Sequence, residues 1–142
     1  AEALSTILAK DWGGYKLDNT DWHDRDTVKF ACPGLSVPGR LSCETNSKTN
    51  MRDGKWHHIV GVYDGAGSYL YVDGRLEDSN SAGGQLRIVD APLCIGALRE
   101  KSDRVWQGLI DDVRIYRCAL NRWQIEALHE ENNRPLPRNV HR

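Results

Sequence analysis

The sequence predicts an all-β, antiparallel β-sandwich with one short C-terminal helix. Three observations carry this expectation. The run DGKWHHIVGVYDGAGSYLYVDG at residues 53–74 holds two alternating strands between Asp-Gly turns, short strand candidates recur along the chain at sandwich spacing, and only the segment from Asn121 carries helical signals. In the first of the two strands Trp56, His58, Val60 and Val62 fall on one face, and His57, Ile59, Gly61 and Tyr63 on the other. Both faces are largely apolar, as in a strand inside a sandwich or under covering loops. Asp64-Gly65-Ala66-Gly67 then tolerates the positive φ of a turn, and Leu70 and Val72 alternate against Tyr69 and Tyr71 in the second strand.

The remaining elements follow in order. Residues 5–9 and 15–17 are the first strand candidates, joined by the turn Asp11-Trp12-Gly13-Gly14. A polar, acid-rich segment at 18–26 carries Trp22 and His23. Strands are expected at 28–32, 40–45, 57–63, 69–72, 86–89, 93–95 and 109–116, with a Ser/Asn/Gly loop at 79–84. The helix has its own start signal: Asn121 as N-cap with Gln124 three residues on resembles a capping box, and Leu120 is placed to staple onto Ile125. Trp123, Ile125, Ala127 and Leu128 form the stripe that should dock on the sandwich.

Composition narrows the class. A chain of 142 residues with net charge −1 and no apolar run long enough to cross a bilayer is expected to be one soluble domain, without membrane insertion and without a nucleic-acid surface. The basic tail at 134–142 contains two prolines and is expected to be a solvated extension. Domain boundaries are therefore set at 1–131 for the folded domain and 132–142 for the polar tail, and no signal peptide is expected at the opening Ala1-Glu2-Ala3. Cys32, Cys43, Cys94 and Cys118 lack CxxC or CxxCH spacing, which argues against zinc-ribbon, thioredoxin-like and haem-attachment sites. Cys32 and Cys43 lie in two strand candidates joined by a Pro/Gly-rich connection, so a hairpin would face them and leaves a disulfide open; Cys94 and Cys118 lie in the strand candidates 93–95 and 113–118, where each could equally be a small buried hydrophobe.

Catalytic motifs are lacking. The sequence has no GxSxG elbow, no P-loop and no GxGxxG, and His129-Glu130-Glu131-Asn132-Asn133 lacks the second histidine of HExxH. His57 and His58 are neighbours on a strand and point to opposite faces, so they cannot chelate one ion together.

The stretches DGKWHHIVGVYDGAGSYLYVDG, PLCIGA and WQGLIDDVRIYRCALNRWQIEAL, with ILAKDWGGYKL and VKFACPGLSV upstream, resemble the LamG-like jelly-roll domains of the concanavalin A-like lectin/glucanase superfamily, from about residue 6 to residue 128. The resemblance implies two curved antiparallel sheets in a jelly roll, appended to exported bacterial proteins that bind glycans or other proteins, often with calcium at the sheet rim. It also implies one or two strands before the ILAK-like strand, where only residues 1–4 stand here. A sandwich lacking N-terminal strands would leave open edges, to be filled by another chain or a neighbouring segment or closed over by a smaller sheet. The superfamily's glucanases present an acid and a nucleophile from an ExDxE-type strand, and no such strand is found; Glu77-Asp78 and Glu130-Glu131 are adjacent pairs, which diverge on a strand.

Candidate sites follow from residue chemistry. The parity of Val113 and Ile115 puts Asp111 on the inward side, where a carboxylate must be hydrogen-bonded, through a bulge and loop amides, or metal-bound. With Asp111, the acidic group Asp18, Asp21, Asp24 and Asp26 supplies the candidate calcium ligands, the alternative being a solvated loop. A pyranose offers an apolar face and a ring of hydroxyls, so Trp12, Trp22 with His23 and Asp24, and Trp106 with Arg104 are the candidate sugar contacts; Trp56 and Trp123 are expected in the core. The expected function is a non-catalytic, exported recognition module for carbohydrate or glycoconjugate, calcium-assisted in one form. The alternative is a structural protein–protein module or fragment of a larger assembly, with a homo- or hetero-oligomer completing the sandwich. A pocket joining a loop tryptophan to polar groups would favour the first, and a large apolar surface at the open edge the second.

Overall fold

A computed structural model describes residues 5–11, 13–19, 26–37, 40–100 and 104–133 of the chain. Among them are β1 (Thr6–Ala9), β2 (Lys16–Asn19), β3 (Val28–Val37), β4 (Arg40–Asn46), β5 (Ile59–Tyr63), β6 (Ser68–Val72), β7 (Arg75–Asn80), β8 (Cys94–Ile95) and α1 (Arg122–Asn132). They form two antiparallel sheets, one in the order β4-β3-β2-β1-β8 and one in the order β5-β6-β7. The arrangement is that of a jelly-roll sandwich with one C-terminal helix. Residues 1–4 and the tail from 134 onward lie outside the described residues.

Alternation builds the core from both sheets. Val28, Phe30, Cys32 and Cys43 of the five-stranded sheet meet Leu70 of β6 and Ala82, all buried. In the β5–β6 pair Gly61 stands opposite Leu70, which puts Ile59, Gly61 and Tyr63 on the inward side. The Phe30 ring lies directly on Gly61, where an added Cβ would stand 2.5 Å from Cγ of that ring. Asp73 at φ 50° and Gly74 at φ 78° form the tight β6–β7 turn that the Asp-Gly pair foreshadows.

The helix start is as expected. Asn121 Oδ1 accepts the Gln124 N–H at 3.0 Å and the Asn121 N–H donates to Gln124 Oε1 at 2.9 Å. The expected apolar stripe is narrower, because only Ile125 of the helix is buried. Trp123 is exposed, with the Arg122 guanidinium 4.0 Å over its ring, and Trp56 is exposed too, so neither belongs to the core.

Three strand expectations need correction. Residues 86–89 are not a strand, and Ile88 is 93% exposed. The loop expected from residue 79 begins later, since β7 runs through Asn80. Its polar sequence RLEDSN hides a strand because its acids serve a neighbouring loop. The β6–β7 ladder pairs Tyr71 with Leu76 and Leu70 with Asp78, leaving Glu77 as a bulge residue. Glu77 and Asp78 therefore do not diverge: Glu77 accepts the Lys48 and Thr49 N–H groups, and Asp78 the Asn46 N–H. The third correction concerns residues 109–116, which form no strand and run along the mouth of the sandwich.

Candidate functional site

A groove of about 1400 Å³ opens between the five-stranded sheet, β5 and the segment after residue 105. Its floor is the inner face of the larger sheet, with Leu17, Phe30 and Cys32 among the side chains. One wall is β5, which pairs with β6 on one side and with no strand on the other among the described residues. An unpaired strand edge presents a row of backbone donors and acceptors at alternate residues.

The opposite wall is the 109–116 segment. Its apolar side chains are unusually open, with Leu109 79% and Ile115 51% exposed. Apart from the Trp106 N–H donating to the Gly96 carbonyl at 2.8 Å, no backbone–backbone hydrogen bond ties residues 105–118 to an element other than the isolated bridges at Val105, among the described residues. This explains why a sequence that alternates like a strand is not one: a ladder needs a partner, and the nearest edge lies across the groove. Charge links it to α1 at one point. Arg114 donates to both carboxylate oxygens of Asp112 at 2.8 Å and lies 3.6 Å from Glu131 of α1, and Asp112 takes φ 48°.

A histidine clamp closes one end. His57 Nδ1 lies 2.9 Å from Asp73 Oδ2 and its Nε2 lies 3.0 Å from Asp53 Oδ1, tying the turn before β5 to the turn after β6. Burial disfavours charge on the ring, but the hydrogen bonds and charges of Asp73 and Asp53 outweigh it and raise the His57 pKa. Hydrogen bonds from Lys55 and His57 bring Asp53 down to about 2, and Asp73 is lowered because His57 and the His58 N–H outweigh its burial. The histidine contribution is complete below its unfolded pKa near 6.5 and is lost as pH rises through the raised folded value, whereas the carboxylate contributions are complete above about 4 and lost as pH falls. The clamp is therefore strongest between about pH 4 and about pH 6.5. The expected result is that His57→Gln lowers the melting temperature more at about pH 5.5 than at about pH 8.5, read from paired melts. Equal losses at the two pH values would contradict a charged clamp.

Beside it, His58 stacks on His129 of α1 with ring centroids 5.7 Å apart, and its buried Nδ1 has no hydrogen-bond partner. Burial and the neighbouring His129 lower the His58 pKa.

The structure distributes the sequence-derived candidates unevenly. Trp12, Asp21, Trp22, His23 and Asp24 lie outside the described residues. Trp106 lines the groove, half-buried, and its buried Nε1–H has no acceptor; Arg104 stands two residues earlier and does not line it. Asp18 is buried in β2 with its carboxylate 2.7 Å from Lys16 Nζ, Asp26 faces Arg52 at 3.5 Å, and both are thereby met by cations. Asp111 is exposed rather than inward, because the strand that would have set its parity does not form, and its Oδ1 accepts the Asp112 N–H. Among the described residues no three His, Cys, Asp or Glu side chains gather to hold a metal ion, so Asp18, Asp26 and Asp111 do not fit a shared calcium site. What the sequence reasoning missed is the groove wall itself, Trp56 and the clamp; the signal available was the apolar character of both faces of the 57–63 strand.

A family model agrees with the fold. The family model described as concanavalin A-like lectin/glucanases superfamily, of laminin G type, matches residues 7–126. The chain is similar to adhesion G-protein coupled receptor V1 of Danio rerio, with 35% identity over 131 residues, covering 90% of the chain and spanning 2% of the receptor's length. The crystal structure of an S-layer domain-containing protein from Clostridium thermocellum aligns with TM-score 0.43 and 20% identity, covering 91% of this chain and 64% of that one. Among the described residues no helix is long and apolar enough to cross a membrane.

Proposed function

The chain belongs to the laminin-G-type branch of the concanavalin A-like lectin/glucanases superfamily, a family of binding domains, and from that premise we propose that it is a non-catalytic recognition module that takes an extended polypeptide segment of a partner protein into its apolar groove, outside the cell. The observation that carries this is the juxtaposition, among the described residues, of an open β5 edge with a wall whose exposed Leu109, Val113 and Ile115 have the alternation of a strand but no ladder. An extended main chain is the occupant whose chemistry matches, because it supplies donors and acceptors to β5 at every second residue and side chains to the floor at the alternate ones. Size agrees as well. With ~3.4 Å rise, ~4.8 Å strand spacing and ~10 Å between sheets, a strand residue fills ~160 Å³. The groove, at about 1400 Å³, thus has room for a strand along the five residues of β5. Such a strand would offer carbonyl groups to the unmet Trp106 indole Nε1–H, and the 109–116 segment would ladder onto its far side.

Carbohydrate binding is the second reading, carried by Trp106 at the groove with Arg104 nearby in sequence. It has less support in the geometry, because Trp106 is the one sequence-derived sugar contact among the described residues that lines the groove. Calcium assistance would draw on the same candidate acids together with Asp21 and Asp24, which lie outside the described residues.

One experiment separates the two. The purified chain is screened against displayed peptides of about nine to twelve residues and against a glycan array with and without calcium. Selection of peptides with apolar residues at alternate positions is the expected result. Glycan binding with no peptide selected would overturn it.

A further inference from the structure

We propose that Cys32 and Cys43 form a cross-strand disulfide that clasps the β3–β4 hairpin beneath the groove. The two residues are direct partners in the antiparallel register, between the pairs Ala31–Glu44 and Pro33–Ser42. Directly opposed residues in such a ladder have Cα atoms about 4.5–5.5 Å apart and side chains on the same face, which lies within the roughly 4.4–6.8 Å that disulfides span. Both side chains are fully buried and belong to one core cluster, and Cys32 also lines the groove floor. The other two cysteines are placed differently: Cys94 sits in β8 on the far edge of the larger sheet, and Cys118 is exposed at the groove in a segment that forms no strand.

Timing follows from burial. In the reduced fold Cys43 Sγ lies 3.0 Å from Ser68 Oγ of β6, and desolvation, with Cys43 adding to it, pushes the Cys32 thiol up to about 12. A thiol held protonated and with no exposed surface attacks a disulfide slowly. The bond therefore forms while the hairpin is still uncovered, before β6 packs on it. The two thiols give up two protons and two electrons to a small-molecule or protein disulfide, which leaves as two thiols, and one S–S bond joins Cys32 to Cys43. This inference does not depend on what occupies the groove.

The test refolds the reduced, unfolded chain in a glutathione redox buffer, alkylates free thiols after unfolding and maps the peptides. The expected result is a Cys32–Cys43 link with Cys94 and Cys118 alkylated, and the same link in the Cys94→Ser/Cys118→Ser double variant. A second arm folds the chain fully reduced before adding oxidised glutathione, and there the link should form far more slowly. Alkylation of Cys32 and Cys43 after oxidative refolding, or their linkage to Cys94 or Cys118, would overturn the proposal.

Discussion

Gly61→Ala is expected to destabilise the chain by roughly 1–3 kcal/mol, and Gly61→Val by more, through overpacking. An added Cβ would stand 2.5 Å from Cγ and 2.8 Å from Cε2 of Phe30, and that ring is buried between the sheets. The contact is with Cγ and Cδ2 and not only with the far end of the ring, so relief needs the whole side chain to shift within the cluster that includes Val28, Cys32 and Leu70. Relief would have to come from moving β5 outward, which breaks its ladder with β6 or distorts the groove wall. Urea unfolding of the two variants checks this. Midpoints equal to that of the parent chain would mean that Phe30 does not lie on Gly61.

Leu109→Asp and Ile115→Asp are expected to behave in the opposite way. Each should leave the isolated chain within about 0.5 kcal/mol of the parent, since substitutions at open positions away from packed features change little. Each should weaken binding of a selected groove peptide by about thirtyfold or more, or ~2 kcal/mol, because a carboxylate would then be desolvated against an apolar strand. Both positions line the groove and both are more than half exposed, at 79% and 51%. Calorimetric titration and thermal melts of the same samples give the two readouts. Marked destabilisation with unchanged affinity would place these residues in the core and the binding elsewhere.

The contrast between Gly61 and Leu109 shows where the sequence is informative. Hairpin turns and caps are set by residues within a few positions of one another, so the Asp73-Gly74 turn and the reciprocal Asn121–Gln124 bonds could be read directly. Cys32 facing Cys43 was legible for the same reason, since a hairpin register is nearly local. Residues 109–116 carry strand alternation equally clearly, yet whether they become a strand depends on a partner edge, which is a property of the whole assembly. Strand β7 was obscured for a related reason. Its acids look like loop residues until the bulge at Glu77 brings both to the amides of residues 46–49. The candidate site was less legible still: the parity that would have turned Asp111 inward presumed that same strand, and the groove is made by what the β5 edge lacks among the described residues.

Hydrogen exchange of the backbone amides of residues 109–116 and of β5 tests most directly that the groove receives a strand. In the isolated chain the 109–116 amides should exchange rapidly, since no backbone ladder holds them among the described residues. With a selected groove peptide bound, these amides and alternate amides of β5 should become protected together. Strong protection of 109–116 in the isolated chain, or no change at β5 when the peptide is bound, would contradict it.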